Sequence, residues 1–447
     1  MAGTPGPHHL VPETPETTGS ATEYPHTRWN FAVIVADASS FITGLAFASP
    51  MVVLPLFVER LTGSTVLVGV ITALQMAGWF LPQLATASYV ENQPRKKPFM
   101  LKACILGRVP VVLIPISLIA LAGRPHLVLA IFLAVYFFFY LSDGMTGVPW
   151  TDIGAKTIPP RLRGRFFGAM QFVGGALSVL AGFAVRKILG NPRLPYPRDY
   201  ATLFGMQWVL LMVSLAFLAL IREPMRPVRE DRRGFVALLR AAPGLLRGNA
   251  QFVRMLVVAA LAWGGTVAVP FYVVYAHHEL GLPDAMAGVF VSAQMAGGIV
   301  SSLIWAYMSD RVGSKRVIQG TALCGLAVPL FGLLAPFPLS HHGPQVLGYG
   351  YAFTFFLLGA MANGSWIGYT NFTLEIVEEK DRPSYIGLMY SVSAPAVLVP
   401  VVGGWLVRAT SYEATFALAA LFGALSIIAT LWLREPRDAT IAAGERA

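Results

Sequence analysis

The chain has 447 residues, of which 55% are hydrophobic and only 13% charged, whereas soluble domains carry about 25% charged residues. This composition excludes an ordinary soluble domain, because most of the surface must face something other than water. The net charge of +10 does not indicate nucleic-acid binding, because the basic residues form short clusters between apolar runs, where they set membrane orientation. Cys104 and Cys324 both lie within apolar runs, which argues against a disulfide framework.

The predicted elements are almost all membrane-spanning helices. Residues 1–28 are rich in Pro, Thr, Gly and His and predict a disordered tail. A spanning helix needs about 20 apolar residues. Twelve runs satisfy this length, and seven prolines inside them (Pro50, Pro55, Pro110, Pro115, Pro270, Pro395 and Pro400) predict kinks. The runs are 31–58, 65–88, 99–122, 126–149, 165–188, 201–221, 252–277, 285–308, 316–337, 346–371, 384–407 and 413–433.

An internal repeat divides these runs into two sets of six. Residues 69–78 read GVITALQMAG and residues 288–297 read GVFVSAQMAG, at an offset of 219. At the same offset, WTD at 150–152 returns as YTN at 369–371; IREP at 221–224 returns as LREP at 433–436 at a slightly shorter one. We therefore expect a six-helix bundle at 29–221, a basic linker at 222–250, a second bundle at 251–436 and a tail at 437–447.

The distribution of basic residues predicts the orientation of the chain. With the N-terminus in the cytoplasm, the inner segments hold 24 of the 33 lysines and arginines and the outer loops hold seven. This asymmetry places both termini in the cytoplasm. The four basic residues near the outer loop 186–198 are the exception to the pattern.

The segment after the eighth run reads DRVGSKR, from Asp310 to Arg316. It resembles the signature loop of the major facilitator superfamily, which joins helices two and three, or eight and nine, on the cytoplasmic side. The first copy, from Glu91 to Lys97, keeps the acid and the basic cluster but replaces the Arg and the Gly, and residues 160–164 resemble the family's basic loop between helices four and five. Helix five lacks the Gly-Pro element of drug antiporters, so no subfamily is assigned.

The resemblance covers residues 30–436 and implies an all-α integral membrane protein of twelve helices in two pseudo-symmetric six-helix bundles. It implies transport of a small solute by alternating access. Acids and cations at the cytoplasmic helix ends then predict a gate that closes in one state and breaks in the other; the alternative is a set of static surface ion pairs. The predicted gate residues are Glu91, Arg95, Lys96, Asp152, Arg163, Asp310, Arg311, Gly313, Lys315 and Arg316.

Three ionisable residues fall inside the predicted helices of the first half. Asp37 lies about 10 Å into the first helix and Arg108 about 13 Å into the third, while Asp143 lies near the cytoplasmic end of the fourth. Charges at membrane depth are costly and mark functional sites. Two acids and one base predict a proton-coupling triad; a structural Asp–Arg pair is the equally weighted alternative, and Asp143 is close enough to the surface to be solvated.

Polar and aromatic residues on the helices that line the cavity in the family are candidates for substrate contact. Gln75 and Gln294 occupy matching repeat positions and are expected to face each other. Membrane glutamines also bond neighbouring helices, and Trp150 and Tyr369 are assigned to the interface belts. The glycine pairs at 174–175, 264–265 and 297–298 predict close helix packing. The cavity candidates are Gln75, Gln171, Trp263, Gln294, Asn363 and Trp366.

No catalytic constellation, ATP site or metal-ligand spacing is evident, so neither an enzyme nor a cofactor is predicted. His277 and His278 lack the spacing of a zinc site. The sequence therefore predicts a monomeric plasma-membrane transporter whose partners are a small solute, protons and the bilayer, without nucleic acid. Uniport by the same fold and a non-transporting membrane sensor or scaffold are the alternatives, and a polar cavity between the halves distinguishes a transporter from a scaffold.

Overall fold

The computed structural model describes residues 24–90, 93–225, 235–378 and 381–436. Within these ranges twelve helices are long and apolar enough to cross a membrane. The predicted tails, apart from residues 24–28, and Glu91 lie outside the described residues. The spans, numbered 1 to 12, are Thr27–Phe47 with Val53–Thr62, Thr65–Val90, Lys97–Arg108 with Leu113–Ala120, Pro125–Thr157, Pro160–Leu189, Arg198–Leu220, Ala250–Gly265 with Phe271–His278, Met286–Arg311, Ser314–Leu334, Pro344–Ile376, Arg382–Ser393 with Val399–Ala409, and Tyr412–Thr430.

The interrupted spans are interrupted at prolines, as expected from the missing N–H and the ring clash of this residue. Span 1 breaks at residues 48–52, around Pro50. Spans 3, 7 and 11 pass through 3₁₀ turns at Val109–Val112, Thr266–Ala268 and Ala394–Leu398. The predicted kinks are therefore confirmed at these sites, whereas Pro55 and Pro115 lie inside continuous helix.

We call the side on which span 1 begins and span 12 ends the terminal face, and the other side, which carries the turn at Gly63, the opposite face. The predicted linker is not uniformly irregular, since Phe235–Gly248 forms a helix. That helix lies against span 11, where the Tyr385 hydroxyl donates to the carbonyl of Leu245 at 3.2 Å. The linker helix is thus attached to the C-terminal half.

The glycines of the ten-residue repeat have two separate packing roles. A Cβ on Gly69 would overlap the backbone of Pro400 in span 11, and one on Gly288 would overlap the backbone of Gly182 and Arg186 in span 5. The last glycines of the repeat pack within a half, Gly78 against span 4 and Gly297 against span 10. The first glycine of each copy therefore brings the two halves into contact, as small residues do between membrane helices.

The apolar core shows which side of the molecule is closed. One continuous buried cluster contains residues of both halves, such as Phe57 and Phe132 with Phe271 and Val291, and it lies toward the opposite face. The terminal side holds two separate clusters. One of them surrounds Ile34 and Phe166 in the N-terminal half, and the other surrounds Phe252 and Phe372 in the C-terminal half. The halves are thus packed together at the opposite face and form separate cores at the terminal face.

Candidate functional site

Asp37 of span 1 forms the centre of a buried polar cluster in the N-terminal half. Its side chain is 3% exposed. One carboxylate oxygen accepts a hydrogen bond from the Ser214 hydroxyl of span 6, and the other accepts from Trp150 Nε1 of span 4 at 3.1 Å. Both oxygens of this buried carboxylate are therefore hydrogen-bonded, as burial of a charge requires.

Arg108 of span 3 joins the same cluster through Ser214. Its guanidinium donates to the Ser214 hydroxyl at 2.8 Å and lies over the ring of Phe41, 4.8 Å from the centroid. Ser214 therefore accepts from Arg108 and donates to Asp37, so that one hydroxyl connects the two charges. The predicted Asp37–Arg108 association is present, but as a serine-bridged arrangement.

Asp143 lies deeper than the sequence indicates. Span 4 continues to Thr157 rather than ending near residue 149, so Asp143 is about 21 Å from the terminal end of its helix. It is half-buried and lies close enough to Arg108 and Asp37 for electrostatic interaction. The expectation of a position near the helix end was wrong, because the polar residues 150–157 extend the helix instead of ending it.

Sequence reasoning missed Ser214 and assigned Trp150 to an interface belt. Trp150 instead points its indole N–H into the cluster, and Tyr369 packs against the terminal-side apolar cluster of its own half. A serine in an apolar run carries no pattern that separates a buried partner from a helix-packing residue. An acid and a base at similar depths nevertheless suggest a bridging hydroxyl on a neighbouring span.

Gln294 makes a contact between the halves that differs from the predicted one. Its side chain is 8% exposed; its Oε1 accepts from the Ser49 hydroxyl at 3.3 Å and its Nε2 donates to the Met51 sulfur at 3.0 Å. Both partners lie in the break of span 1. Gln294 therefore does not pair with Gln75, which is half-buried in span 2.

The remaining cavity candidates are distributed around mid-depth. Trp263 is half-buried and its ring lies 6.5 Å from that of Phe80 across the halves. Asn363 lies beside Gly298, which packs against it within the C-terminal half. Gln171 is half-buried, and Trp366 is 62% exposed. The role of these residues in substrate binding remains a prediction.

Among the predicted gate residues, Lys96 and Asp152 form an ion pair within the N-terminal half. Asp152 Oδ2 lies 3.0 Å from Lys96 Nζ and 2.8 Å from Lys156 Nζ. Arg163 donates to the carbonyl of Ala155 at 3.3 Å, and Arg316 donates to Gln319 at 3.0 Å. Arg95, Asp310 and Arg311 are exposed and Lys315 is half-buried. Closure of this gate between the halves remains a prediction.

The repeated Arg-Glu-Pro motif has a role that the sequence did not reveal. The Glu223 carboxylate accepts from the backbone N–H groups of Lys96 and Lys97 at 2.8–3.0 Å, where span 3 begins. In the second half the Glu435 carboxylate lies directly against Gly313, where span 9 begins. Gly313 has a φ of 109°, which favours glycine. A carboxylate at a helix N-terminus is stabilising. In each half, the glutamate that follows the last span therefore stabilises the N-terminus of the third span of that half.

Contacts between the halves lie on the opposite-face side of the molecule. Several hydrogen bonds and ion pairs between the halves fall between mid-depth and the opposite face, as in Ser49–Gln294, Thr65–Gly404 and Glu59–His278. The hydrogen bonds and ion pairs given above for the terminal face stay within one half. No group of three or more His, Cys, Asp or Glu side chains in the described ranges is placed to hold a metal ion.

Comparisons with known proteins agree with this architecture. Residues 254–447 match the sequence model of the Major Facilitator Superfamily. The fold resembles a mutant of the nucleoside transporter NupG, with a TM-score of 0.66, 14% identity, and coverage of 92% of this chain and 100% of that one. A bacterial homologue of the iron transporter ferroportin in an inward-facing state gives a TM-score of 0.63 at 15% identity, with coverage of 90% of this chain and 98% of that one. The transporter FucP in the outward conformation gives a TM-score of 0.58 at 13% identity, with coverage of 92% of this chain and 100% of that one.

At these identities the structural likeness establishes the fold, and the sequence model establishes the kinship of the second half. The two copies of the repeat and their matched glycine contacts extend that fold over both halves. Twelve spans arranged as two related six-helix bundles make a multi-pass membrane protein with the fold of alternating-access transporters. The second half of the chain thus matches the major facilitator superfamily, and the whole chain has the fold of the solved transporters of that type.

Proposed function

We propose that this protein is a proton-coupled transporter of a small, uncharged polar solute. The observation that carries the proposal is the buried cluster of Asp37, Ser214, Arg108 and Asp143 in the N-terminal half. We assign the terminal face to the cytoplasm and the protein to the plasma membrane as a monomer, on the basis of the basic residues at the terminal face. The described structure, closed at the opposite face, then corresponds to the inward-facing state.

The charge of the cluster supports proton coupling. Two carboxylates and one guanidinium carry a net charge of −1 when both acids are ionised, and a single added proton makes the cluster neutral. An uncompensated charge at membrane depth is costly, so any movement that changes the distance between Arg108 and the acids changes the affinity for that proton. Asp143 is the candidate for titration, because Asp37 already has two hydrogen-bond donors.

Span 1 connects the proton site to the contact between the halves. Asp37 is followed in the same span by Ser49, about 18 Å along the helix, and Ser49 donates to Gln294 of the other half. The break at residues 48–52 allows this segment to change conformation without moving the whole helix. Protonation near Asp37 and closure against span 8 are thus coupled through one element.

The neutral character of the cavity candidates indicates the class of solute. Gln75, Gln171 and Asn363 offer amide donors and acceptors, and Trp263 with Phe80 offers aromatic faces. Such groups suit an uncharged solute with hydroxyl or amide groups and a ring. NupG, which has the same fold, is described as a nucleoside transporter, so nucleosides and sugars belong in the first panel.

The first experiment measures the thermal stability of the purified protein against nucleosides, sugars, amino acids, organic acids and organic cations, at pH 5.5 and 7.5. A ligand at a hundredfold excess over Kd stabilises the folded state by about 2.7 kcal/mol. Any hit is then reconstituted in liposomes containing a pH-sensitive dye. We expect a gradient of the solute to drive proton movement in the wild type.

Variants of the acids separate the coupled mechanism from its alternatives. Asp143→Asn is expected to retain solute uptake but to lose proton movement, whereas Glu413→Gln, which removes an exposed acid, is the control and is expected to behave as the wild type. Uptake without proton movement in the wild type would instead establish uniport. Absence of any hit and of any uptake would favour a sensor or scaffold that has kept the fold.

A further inference from the structure

The closed mouth at the opposite face contains a cluster of charged residues from both halves, which we call the mouth cluster. Arg60 of span 1 pairs with Asp284 of the loop between spans 7 and 8, and lies 3.9 Å from the buried Asp199 of span 6. His278 Nε2 lies 2.6 Å from Glu59 Oε1. His277 Nδ1 lies 3.1 Å from Asp284 Oδ1. The cluster consists of Glu59, Arg60, Asp199, His277, His278 and Asp284.

The two histidines differ in the location of their partners. His278 ends span 7 in the C-terminal half, and its partner Glu59 belongs to the N-terminal half. The polar contacts of His277 lie within its own half, with Asp284 and with the carbonyl of Leu282 at 3.2 Å. Opening of the mouth therefore separates His278 from Glu59 but leaves His277 beside its partners.

The closed mouth surrounds His278 with more negative than positive charge. Its three carboxylates are opposed by one guanidinium, whose face lies 4.8 Å from the Tyr196 ring centroid. Two further acids, Glu279 and Glu413, lie within electrostatic range of Tyr275. Glu279 also lies within electrostatic range of Tyr412, as does Glu59 of the mouth cluster. An imidazolium in this surrounding gains an ion pair with Glu59, whose side chain is only 12% exposed.

We infer that His278 and Glu59 form a proton-sensitive lock that holds the opposite face closed when that side is acidic. Neutral His278 can donate one hydrogen bond to Glu59, whereas protonated His278 adds a full charge to the same contact. Opening breaks this contact, so a charge on His278 stabilises the closed state alone, and acidification shifts the population toward closure. Histidine is the side chain that changes charge between about pH 5 and 8.

This lock requires no solute, and its residues are separate from those of the proton-coupling cluster near Asp37. It regulates which conformation is populated, and it requires only the alternating-access fold. A conformational measurement without any substrate therefore tests it, and the result does not depend on whether the proposed proton coupling is correct.

The experiment measures the distance across the mouth by double electron–electron resonance in nanodiscs. Spin labels are placed at the exposed positions of Arg193→Cys and Gln345→Cys, in a background where Cys104 and Cys324 are replaced by alanine. We expect the ratio of closed to open molecules to rise about two- to fivefold between pH 8 and pH 5.5, the size expected for a partly exposed ion pair.

The neighbouring histidine provides a matched control. His278→Gln and Glu59→Gln are each expected to remove the response to pH, while His277→Gln retains it. A wild-type population that is insensitive to pH, or that opens on acidification, would overturn the proposal. The same holds if His278→Gln keeps the full response.

Discussion

At the scale of single residues, Ser214 determines how the buried charges of the N-terminal half are arranged. Its hydroxyl accepts a hydrogen bond from Arg108 and donates one to Asp37. Both hydrogen bonds of this hydroxyl therefore go to charged groups. Hydrogen bonds to charged groups contribute about 1.5–3 kcal/mol each, more than those between neutral groups. A neutral serine side chain thereby stabilises two buried charges of the N-terminal half, Asp37 and Arg108.

Replacing this hydroxyl tests that role. We expect Ser214→Ala to lower the free energy of unfolding by about 1–3 kcal/mol, because it leaves a buried guanidinium and a buried carboxylate each without one partner. The measurement is thermal unfolding of the purified protein in detergent. Ser178→Ala is the control, since Ser178 is equally buried but bonds only to the carbonyl of Gly174 in its own helix. Equal effects of the two variants would contradict the assigned bridge.

At the scale of the element, the ten-residue repeat explains why two helices of different bundles share one sequence. Gly69 and Gly288 occupy the same position in the two copies, and each meets a span of the other half without space for a Cβ. Nine residues later, Gly78 and Gly297 fix the same helices to span 4 and span 10 of their own half. The first glycine of each copy therefore forms the close contact between the halves, which we call the glycine seam (Gly69 and Gly288), and the last glycine packs the same helix within its own half.

A large side chain in this seam is expected to hold the opposite face open. Gly288→Leu places its side chain against the backbone of span 5, and such overpacking costs about 1–3 kcal/mol in the closed state alone. A cysteine at Ser49, which is buried in the closed structure, should then react with a membrane-impermeant maleimide added from the opposite face.

The matched control for that experiment is Gly205→Leu in span 6, where a Cβ meets no atom within 4 Å. We expect the cysteine at Ser49 to remain unreactive in this background, with Cys104 and Cys324 replaced by alanine in both. Equal labelling in the two backgrounds would show that the glycine seam does not control closure.

At the scale of the whole molecule, the two faces differ in both charge and packing. The halves share one apolar core toward the opposite face and separate into two cores toward the terminal face. Most of the 33 basic residues lie in segments of the terminal face, which is the asymmetry that favours a cytoplasmic location. The structure therefore represents a state in which the halves are packed together at the opposite face and have separate cores at the terminal face.

Single cysteines in whole cells test this orientation. With the native cysteines replaced, we expect Arg193→Cys to react with an impermeant reagent from outside, and Arg316→Cys to react only after the membrane is permeabilised, because both positions are exposed but on different faces. The reverse pattern would invert the topology and would assign the described state as outward-facing.

The spans could be predicted from the sequence because burial in a bilayer requires long apolar runs, and this requirement is local. The polar cluster could be predicted only in part. Asp37 and Arg108 were recognisable because charges are rare at membrane depth, but Ser214 and Trp150 were not, since such residues are common in membrane helices. The extension of span 4 to Thr157 was missed because its last turns are polar.

The pairing of Glu59 with His278 is a contact between equivalent positions of the repeat, of the kind expected for Gln75 and Gln294. These residues are 219 positions apart, the offset of the repeat, so they occupy equivalent positions in the two halves. Equivalent positions near a pseudo-two-fold axis meet each other. The repeat offset therefore identifies pairs that can meet on the axis but does not show which of them do, since Gln294 contacts Ser49 rather than Gln75.

The attachment of the linker helix has a consequence for how the polypeptide can be divided. Phe235–Gly248 packs on span 11, and the Asn249 side chain donates to the carbonyl of Ile376 at 3.2 Å, so this helix moves with the second bundle. A chain cut anywhere within residues 226–234 would yield two fragments, each retaining all of the internal contacts described above. The two halves thus resemble the two subunits of a dimer that are joined by a linker and packed together through the shared apolar core.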